Sequence, residues 1–480
     1  STSFTFTDNI IRDSVGGLYS VSGVIERNTF ENISPDGSGC GLTLRVTNAN
    51  TQSFELVLRD ILFDNCAGSD VRCFDLSFNY APNIEIENIT VQNCPAREAL
   101  IGVVYVDQKF NNGGRVTFNN CNWTNNKVTK GSKTYGIGGG IGFAVKCSSF
   151  QLEVILQECL FESNSISNDK GGAIQVGNNA STITPKYTFD GCTFKGNTAT
   201  SGGALALETS SGWEVRGCTF ENNRATGDIN IDNGKNSNFG TGDINNGGGA
   251  LYINPNPVEQ TLSSNCLVTG CTFINNSAEN PGLIAFIDKS LNENGYRIIF
   301  DGTNQIDNAG EDGYLFHNSY QTMELNDATI APGDKYFSIL SSGENGRTEF
   351  NNCVFNGVGF RVSNGDNYGN VMRLIKSTTV QLTSCDFIDC VKVNHNNFII
   401  YGSDNREIQK SLIAKKCNFN FTTHTQSCAA VCIERFAYMD IDECNFVNCW
   451  NSQFAGYASA IRYGLNGQDG KDNCKFVLTN

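Results

Sequence analysis

Proline and histidine are scarce and charge is thin: the 480 residues include 8 Pro and 3 His, and 17% are Asp, Glu, Lys or Arg. So few prolines leave long stretches free to donate backbone hydrogen bonds. The three histidines (His317, His395 and His424) lie in unrelated contexts, and no Cys-x-x-Cys pair accompanies them, so a zinc site is not expected. Lys and Arg number 34 against 49 Asp and Glu, a formal charge of −15, and form no cluster. That excludes nucleic acid as a partner, because neutralising phosphates needs a basic footprint. Apolar runs are short as well. The longest, ALIGVVYV at 99–106, falls far below the ~20 residues a membrane-spanning helix needs, so direct membrane insertion of this segment is not expected. The chain shows neither a start methionine nor a signal peptide and reads as a segment of a longer protein.

What is present is repetition. Gly (50 residues) and abundant Asn supply turns and left-handed backbone, while 32 Phe and 15 Tyr argue against disorder. A motif Cys-x-Phe/Trp-x-x-Asn recurs through Cys121/Trp123/Asn126, Cys159/Phe161/Asn164, Cys192/Phe194/Asn197, Cys218/Phe220/Asn223 and Cys271/Phe273/Asn276. Looser copies centre on Phe6, Phe30, Phe63, Val91, Phe355, Phe387, Phe419, Phe446 and Phe476, with a degenerate one at 300–308. About fifteen copies at a period near thirty residues, separated by alternating apolar runs such as Ala204–Leu207, fit an all-β parallel β-helix. Equivalent residues would then stack ~4.8 Å apart on successive coils. Leucine-rich repeats would show a Leu framework, and propeller blades run longer. We expect one continuous domain over 1–480, with loop insertions near 227–247 and 309–348. Inside it, Phe and Cys would form interior columns, Asn an amide ladder, and paired glycines tight corners.

Gly171-Gly-Ala-Ile174, Gly202-Gly-Ala-Leu205 and Gly248-Gly-Ala-Leu251 alternate with the Phe-x-x-Asn motifs. This alternation resembles the polymorphic outer membrane protein repeat, known from bacterial surface autotransporters and protist surface proteins. Phe-x-x-Asn covers most of the chain, whereas strict Gly-Gly-Ala is confined to the middle; the β-barrel translocator of the bacterial members has no counterpart here. The resemblance implies a right-handed, pectate-lyase-like β-helix displayed outside the cell, with adhesion as its role.

Twenty cysteines invite two readings, a buried column of free thiols or a disulfide framework. Cys66 and Cys94 hold equivalent places on consecutive coils and are the favoured bridge, since neighbouring coils bring Cα atoms within disulfide range. Sequons occur at Asn32, Asn88, Asn122, Asn179, Asn275 and Asn420. Asn32, Asn122 and Asn275 lie at the repeat turn, leaving Asn88, Asn179 and Asn420 as glycan candidates.

Galacturonan hydrolases of this fold rely on clustered Asp residues and a Gly-His-Gly, and the sequence has no Asp-Asp pair and no Gly-His-Gly. No phosphate loop or periodic calcium motif is present; the acidic turns at 228–232 and 466–472 read as solvated loops. The expectation is a non-catalytic extracellular β-helix with no cofactor, adhesin-like or structural. Candidate partners are glycans or proteins of a host or neighbouring cell, met by the flat strand face or the loops at 228–246 and 363–370. An end-to-end filament or coat subunit and a carbohydrate-active lyase or hydrolase remain as alternatives.

Overall fold

A computed structural model describes residues 4–13, 23–33, 40–46, 54–67, 72–78, 82–96, 103–106, 114–128, 141–143, 152–167, 169–177, 186–208, 212–227, 247–254, 265–279, 282–288, 297–308, 310, 313–319, 321–332, 337–342, 346–359, 369–374, 378–390, 398–402, 410–420, 430–434, 437–449, 461–464 and 475–479. The described elements are all strands, and successive coils pair in parallel. The fold is a right-handed parallel β-helix. The chain divides into two compact units, residues 1–229 with 246–266, and residues 230–245 with 267–480.

In the first unit, a single coil shows how the motif becomes structure. The strand Lys186–Asp190 points Tyr187 and Phe189 inward, and the next inward residue is Cys192, three positions on rather than two. The extra residue is Gly191, at φ 62°. The strand Thr193–Lys195 points Phe194 inward, Gly196 at φ 63° inserts another step, and Asn197 turns inward next. Period-two alternation is thus interrupted twice by a left-handed residue that bends the chain while the next side chain still points inward. The spacing Cys-x-Phe-x-x-Asn records one uninterrupted step and one interrupted step. Each kink keeps its backbone bond to the neighbouring coil, as in Gly191 N–H to Arg216 O at 3.0 Å and Gly196 N–H to Glu221 O at 2.8 Å. Asn and Gly recur at the kinks (Asn120, Asn125, Gly217, Asn222) because they bear positive φ at least cost.

Stacking then builds columns. Cα register places Ile11, Phe30, Phe63, Val91, Trp123, Phe161, Phe194 and Phe220 side by side. The rings of Trp123, Phe161, Phe194 and Phe220 lie nearly parallel at 5.0, 5.0 and 4.8 Å. Beside them, Asn126, Asn164, Asn197 and Asn223 form a fully buried ladder. Both the N–H and Nδ2 of Asn164 donate to Asn197 Oδ1, at 3.0 and 3.1 Å, and Asn197 does the same to Asn223 Oδ1 at 3.0 Å each. The second Nδ2 hydrogen reaches a carbonyl, Trp123 O from Asn164 and Phe161 O from Asn197, both at 2.9 Å. Two acceptances and two donations exhaust each interior amide's capacity, which removes the cost of burying it.

The third corner needs glycine. Gly202 has φ 60°, and a Cβ on Gly203 would sit 2.3 Å from Gly249 O and 2.5 Å from Arg224 N, all backbone. The strands that follow, Ile174–Gly177, Leu205–Glu208 and Leu251–Ile253, pair in parallel as a further wall.

The second unit repeats the plan with other fillings. Phe355, Phe387, Phe419 and Phe446 stack at 4.9, 4.7 and 4.9 Å. Here Val358 and Cys390 take the ladder position that Asn276 fills earlier in the same unit. The stretch 309–348, expected as an inserted loop, carries a regular coil instead. Tyr314–Asn318 pairs with Ala285–Ile287 and with Ser338–Ser342, and Thr322–Asn326 pairs with Arg297–Phe300 and with Gly346–Asn351. Its motif escaped notice because Ala328 and Ile330 stand in the Cys and Phe columns. In the degenerate copy, Asn304 and Ile306 do the same.

The two outermost copies are out of phase with the others. Phe6 pairs with Ile25, not Phe30, and Phe476 pairs with Met439, not Phe446, so both belong to the long strand before the kink. Ile11 holds the true place in the aromatic column of the first unit.

Candidate functional site

The Cys-Phe-Asn and glycine motifs are scaffold. Cys192, Phe194, Asn197, Gly202, Gly203, Cys218, Phe220, Asn223, Gly248 and Gly249 in the first unit are buried, as are Cys271, Phe273 and Asn276 in the second. The thiols of Cys121, Cys159, Cys192 and Cys218 occupy one column and donate to backbone carbonyls, Cys192 Sγ to Leu156 O at 3.4 Å for example. Side-chain hydrogen bonds with Cys121 and Cys192 that favour its protonated form, together with burial, push the Cys159 thiol far above its ordinary range. Cys66 and Cys94 are buried in this structure as thiols; Cys94 Sγ donates to Gln92 O at 3.1 Å. The two hold the place that Asn fills in later coils, and Cys94 N–H caps the ladder by donating to Asn126 Oδ1 at 3.1 Å.

Of the glycan candidates, Asn179 lies outside the described residues, and Asn420 is half-buried at the end of Asn418–Asn420. Asn88 is exposed at a kink (φ 54°), where its Nδ2 donates to Asp60 Oδ1 at 3.0 Å and its Oδ1 accepts from Asn120 Nδ2 at 2.8 Å. Asn32 and Asn275 are exposed kink residues too, one place before the inward position, and Asn122 is half-buried. The kink asparagines therefore form outer ladders that sequence reasoning missed. The loops at 228–246 and 363–368, together with His395, His424, Cys474 and the acidic turn at 466–472, also fall outside the described residues. Among the described residues no group of three or more His, Cys, Asp or Glu is placed to hold a metal ion, and no helix is long and apolar enough to cross a membrane.

Two polar constellations do stand out, both in the first unit. One is a cleft of about 420 Å³ on the outer face of the long strands, lined by Leu56, Val57, Asn83, Ile84, Glu85, Arg115 and Thr117. Register explains its chemistry: Val57, Glu85 and Thr117 share one outward row, and Asn83 and Arg115 the next. Arg115 is held from the following coil by Glu153, with Nη2 and Nε donating to Oε2 at 3.1 and 3.3 Å. A carboxylate, an amide, a hydroxyl and a guanidinium thus line one open cleft of ligand-binding size. No sequence motif could flag them, because they come from different coils and share no residue type.

The other is a part-buried charge network that spans the glycine corner and the wall after it. Lys170 Nζ donates to Glu208 Oε1 at 2.7 Å and to Tyr252 OH at 2.9 Å, and lies 4.2 Å over the Tyr252 ring. Gln175 Nε2 donates to Glu208 Oε2 at 2.7 Å. Burial raises the neighbouring Asp169 carboxyl above the usual range, although its Oδ1 accepts the Lys170 N–H. Both Glu208 oxygens are engaged and Tyr252 is wholly buried, so this network pins one coil to its neighbours.

Residues 157–295 match the family of right handed beta helix regions, a stretch that covers four of the five regular Cys-x-Phe/Trp-x-x-Asn copies. No curated protein matches the sequence.

Proposed function

We propose that this chain is a non-catalytic, extracellular, cell-surface β-helix of the adhesin-like kind, and that it engages a polar polymer, an oligosaccharide, along the outer face of its long strands. One observation carries the reading: the cleft over Val57, Asn83, Glu85, Arg115 and Thr117 lies on this strand face. Sugar hydroxyls both donate and accept, and this lining offers both partners: the Glu85 carboxylate accepts, Arg115 donates, and Asn83 does either. The parallel rows let one chain cross several coils, gaining contacts by multivalency rather than by enclosure.

The test is a panel of neutral and acidic oligosaccharides titrated against the purified chain, with Glu85→Ala and Arg115→Ala beside it. Both positions are exposed strand sites, so both variants should fold, and each should weaken binding by about tenfold, roughly 1.4 kcal/mol. Binding that both variants leave unchanged removes the cleft from the reading. Reproducible cleavage of any glycan chain overturns the non-catalytic assignment.

A further inference from the structure

The thiol column of the second unit differs from that of the first in one respect. Cys353, Cys385, Cys417 and Cys444 occupy successive coils in register, since Val354 pairs with Asp386, Asp386 with Asn418, and Asn418 with Asn445. Cys353, Cys385 and Cys417 are buried, whereas Cys444 is half-exposed. The Cys417 N–H donates to Cys444 Sγ at 3.4 Å, an interaction that favours a sulfur bearing negative charge. When protonated, Cys444 Sγ donates to Asp442 O at 3.3 Å and to Ala414 O at 3.4 Å.

We propose that Cys444 and Cys417 form a redox-active dithiol that exchanges with low-molecular-weight disulfides, with Cys444 attacking and Cys417 resolving. In-register neighbours on parallel strands have Cα atoms ~4.8 Å apart, inside the 4.4–6.8 Å window for a disulfide, and closing the bridge requires the two Cβ atoms to draw together slightly. The Cys444 thiolate attacks one sulfur of RS–SR, forming Cys444–S–S–R and releasing RS⁻. Cys417 then gives up its proton and attacks Cys444 Sγ, forming the Cys417–Cys444 disulfide and expelling the second RS⁻. Both RS⁻ take up protons, so two electrons pass from the dithiol to the small disulfide. The Cys417 thiol and N–H lower Cys444 to about 7, against burial and the opposing Asp442 carboxylate. Hydrogen bonds with Cys385 and Cys444, together with burial, hold Cys417 far above the ordinary thiol range, so Cys444 is the attacker and resolution by Cys417 is the slower step. Lys416, one residue before Cys417, is engaged by Glu443 at 3.9 Å. A thiol titrating close to ambient pH is the most effective attacker. Cys449, also half-exposed, is pushed up to about 11 by burial and stays a thiol under the same conditions.

The experiment treats the reduced chain with oxidised glutathione, quenches with iodoacetamide and maps peptides by mass spectrometry. Wild type should yield a Cys417–Cys444 disulfide with Cys353 and Cys385 still reduced. Cys417→Ser should stop at a stable glutathione adduct on Cys444, and Cys444→Ser should slow consumption of the disulfide by about tenfold or more. Circular dichroism of each variant checks that the fold survives, and the wild-type map stands alone if Cys417→Ser does not fold. A Cys444–Cys449 bridge, or a Cys444 left unmodified while other thiols react, overturns the proposal.

Discussion

Replacing Asn197 by Ala would remove one rung from the middle of the interior ladder. Asn197 Oδ1 accepts from Asn164 N–H and Nδ2, and Asn197 Nδ2 donates to Phe161 O and Asn223 Oδ1. Without it, Asn164 N–H and one Asn164 Nδ2 hydrogen lose their acceptor, and Phe161 O loses its side-chain donor, in a site with no exposure to solvent. Each orphaned buried group costs ~1–3 kcal/mol, and a water entering the vacated space recovers part of it, so the expected loss is ~3–5 kcal/mol. The control is Asn125→Gly, at an exposed kink with φ 55° whose Nδ2 bond to Asn93 Oδ1 (2.9 Å) faces water. Glycine bears the same backbone, so that change should cost less than ~1 kcal/mol. Urea unfolding gives both differences, and hydrogen exchange adds a local readout, since the Asn164 amide should lose protection in Asn197→Ala. If Asn197→Ala costs no more than the control, or the Asn164 amide keeps wild-type protection, the ladder does not stabilise the stack as argued.

Gly203→Ala would drive a Cβ to 2.3 Å from Gly249 O and should cost several kcal/mol or abolish folding, whereas Gly191→Asn meets only Glu158 Cγ at 3.6 Å and should be tolerated; thermal unfolding of the pair reads the difference. Asp169, whose carboxyl is raised by burial, binds its proton more tightly folded than unfolded. Its ionisation therefore penalises the fold above the folded pKa, and the penalty fades as pH falls through that value. Asp169→Asn should stabilise the chain at about pH 7 and lose this advantage toward about pH 4; a variant equally stabilised at both, or destabilised at the higher, contradicts the sign. Alkylation of folded, unreduced protein should label Cys66 and Cys94 only after denaturation if both are buried thiols, and not at all if they form a bridge; peptide mapping decides between these outcomes.

The aromatic and amide columns were legible in the sequence because stacking forces equivalent residues to share chemistry: Phe161, Phe194 and Phe220 touch one another, so their type repeats. The motif's phase was less legible. Phe6 and Phe476 looked like motif residues because aromatic alternation occurs on both sides of the kink, and only the left-handed residue between them sets the register. The coil at 314–351 was missed for the opposite reason, since Ala328 and Ile330 fill the columns with residues that carry no signature. The cleft was not legible at all. Glu85, Arg115 and Thr117 meet because different coils stack, and nothing requires outward neighbours to resemble one another.

The self-similar register also bears on how such a chain can change across generations. Asn197 and Asn223 are 26 residues apart and play identical parts. A tandem duplication of that stretch would give the new asparagine a donor pair on one side and an acceptor on the other, and leave every flanking contact intact. Coil number is thus a quantity that unequal recombination can raise or lower without re-solving the core, while each added coil brings fresh outward positions open to drift. A lineage can lengthen the scaffold first and diversify its face afterwards.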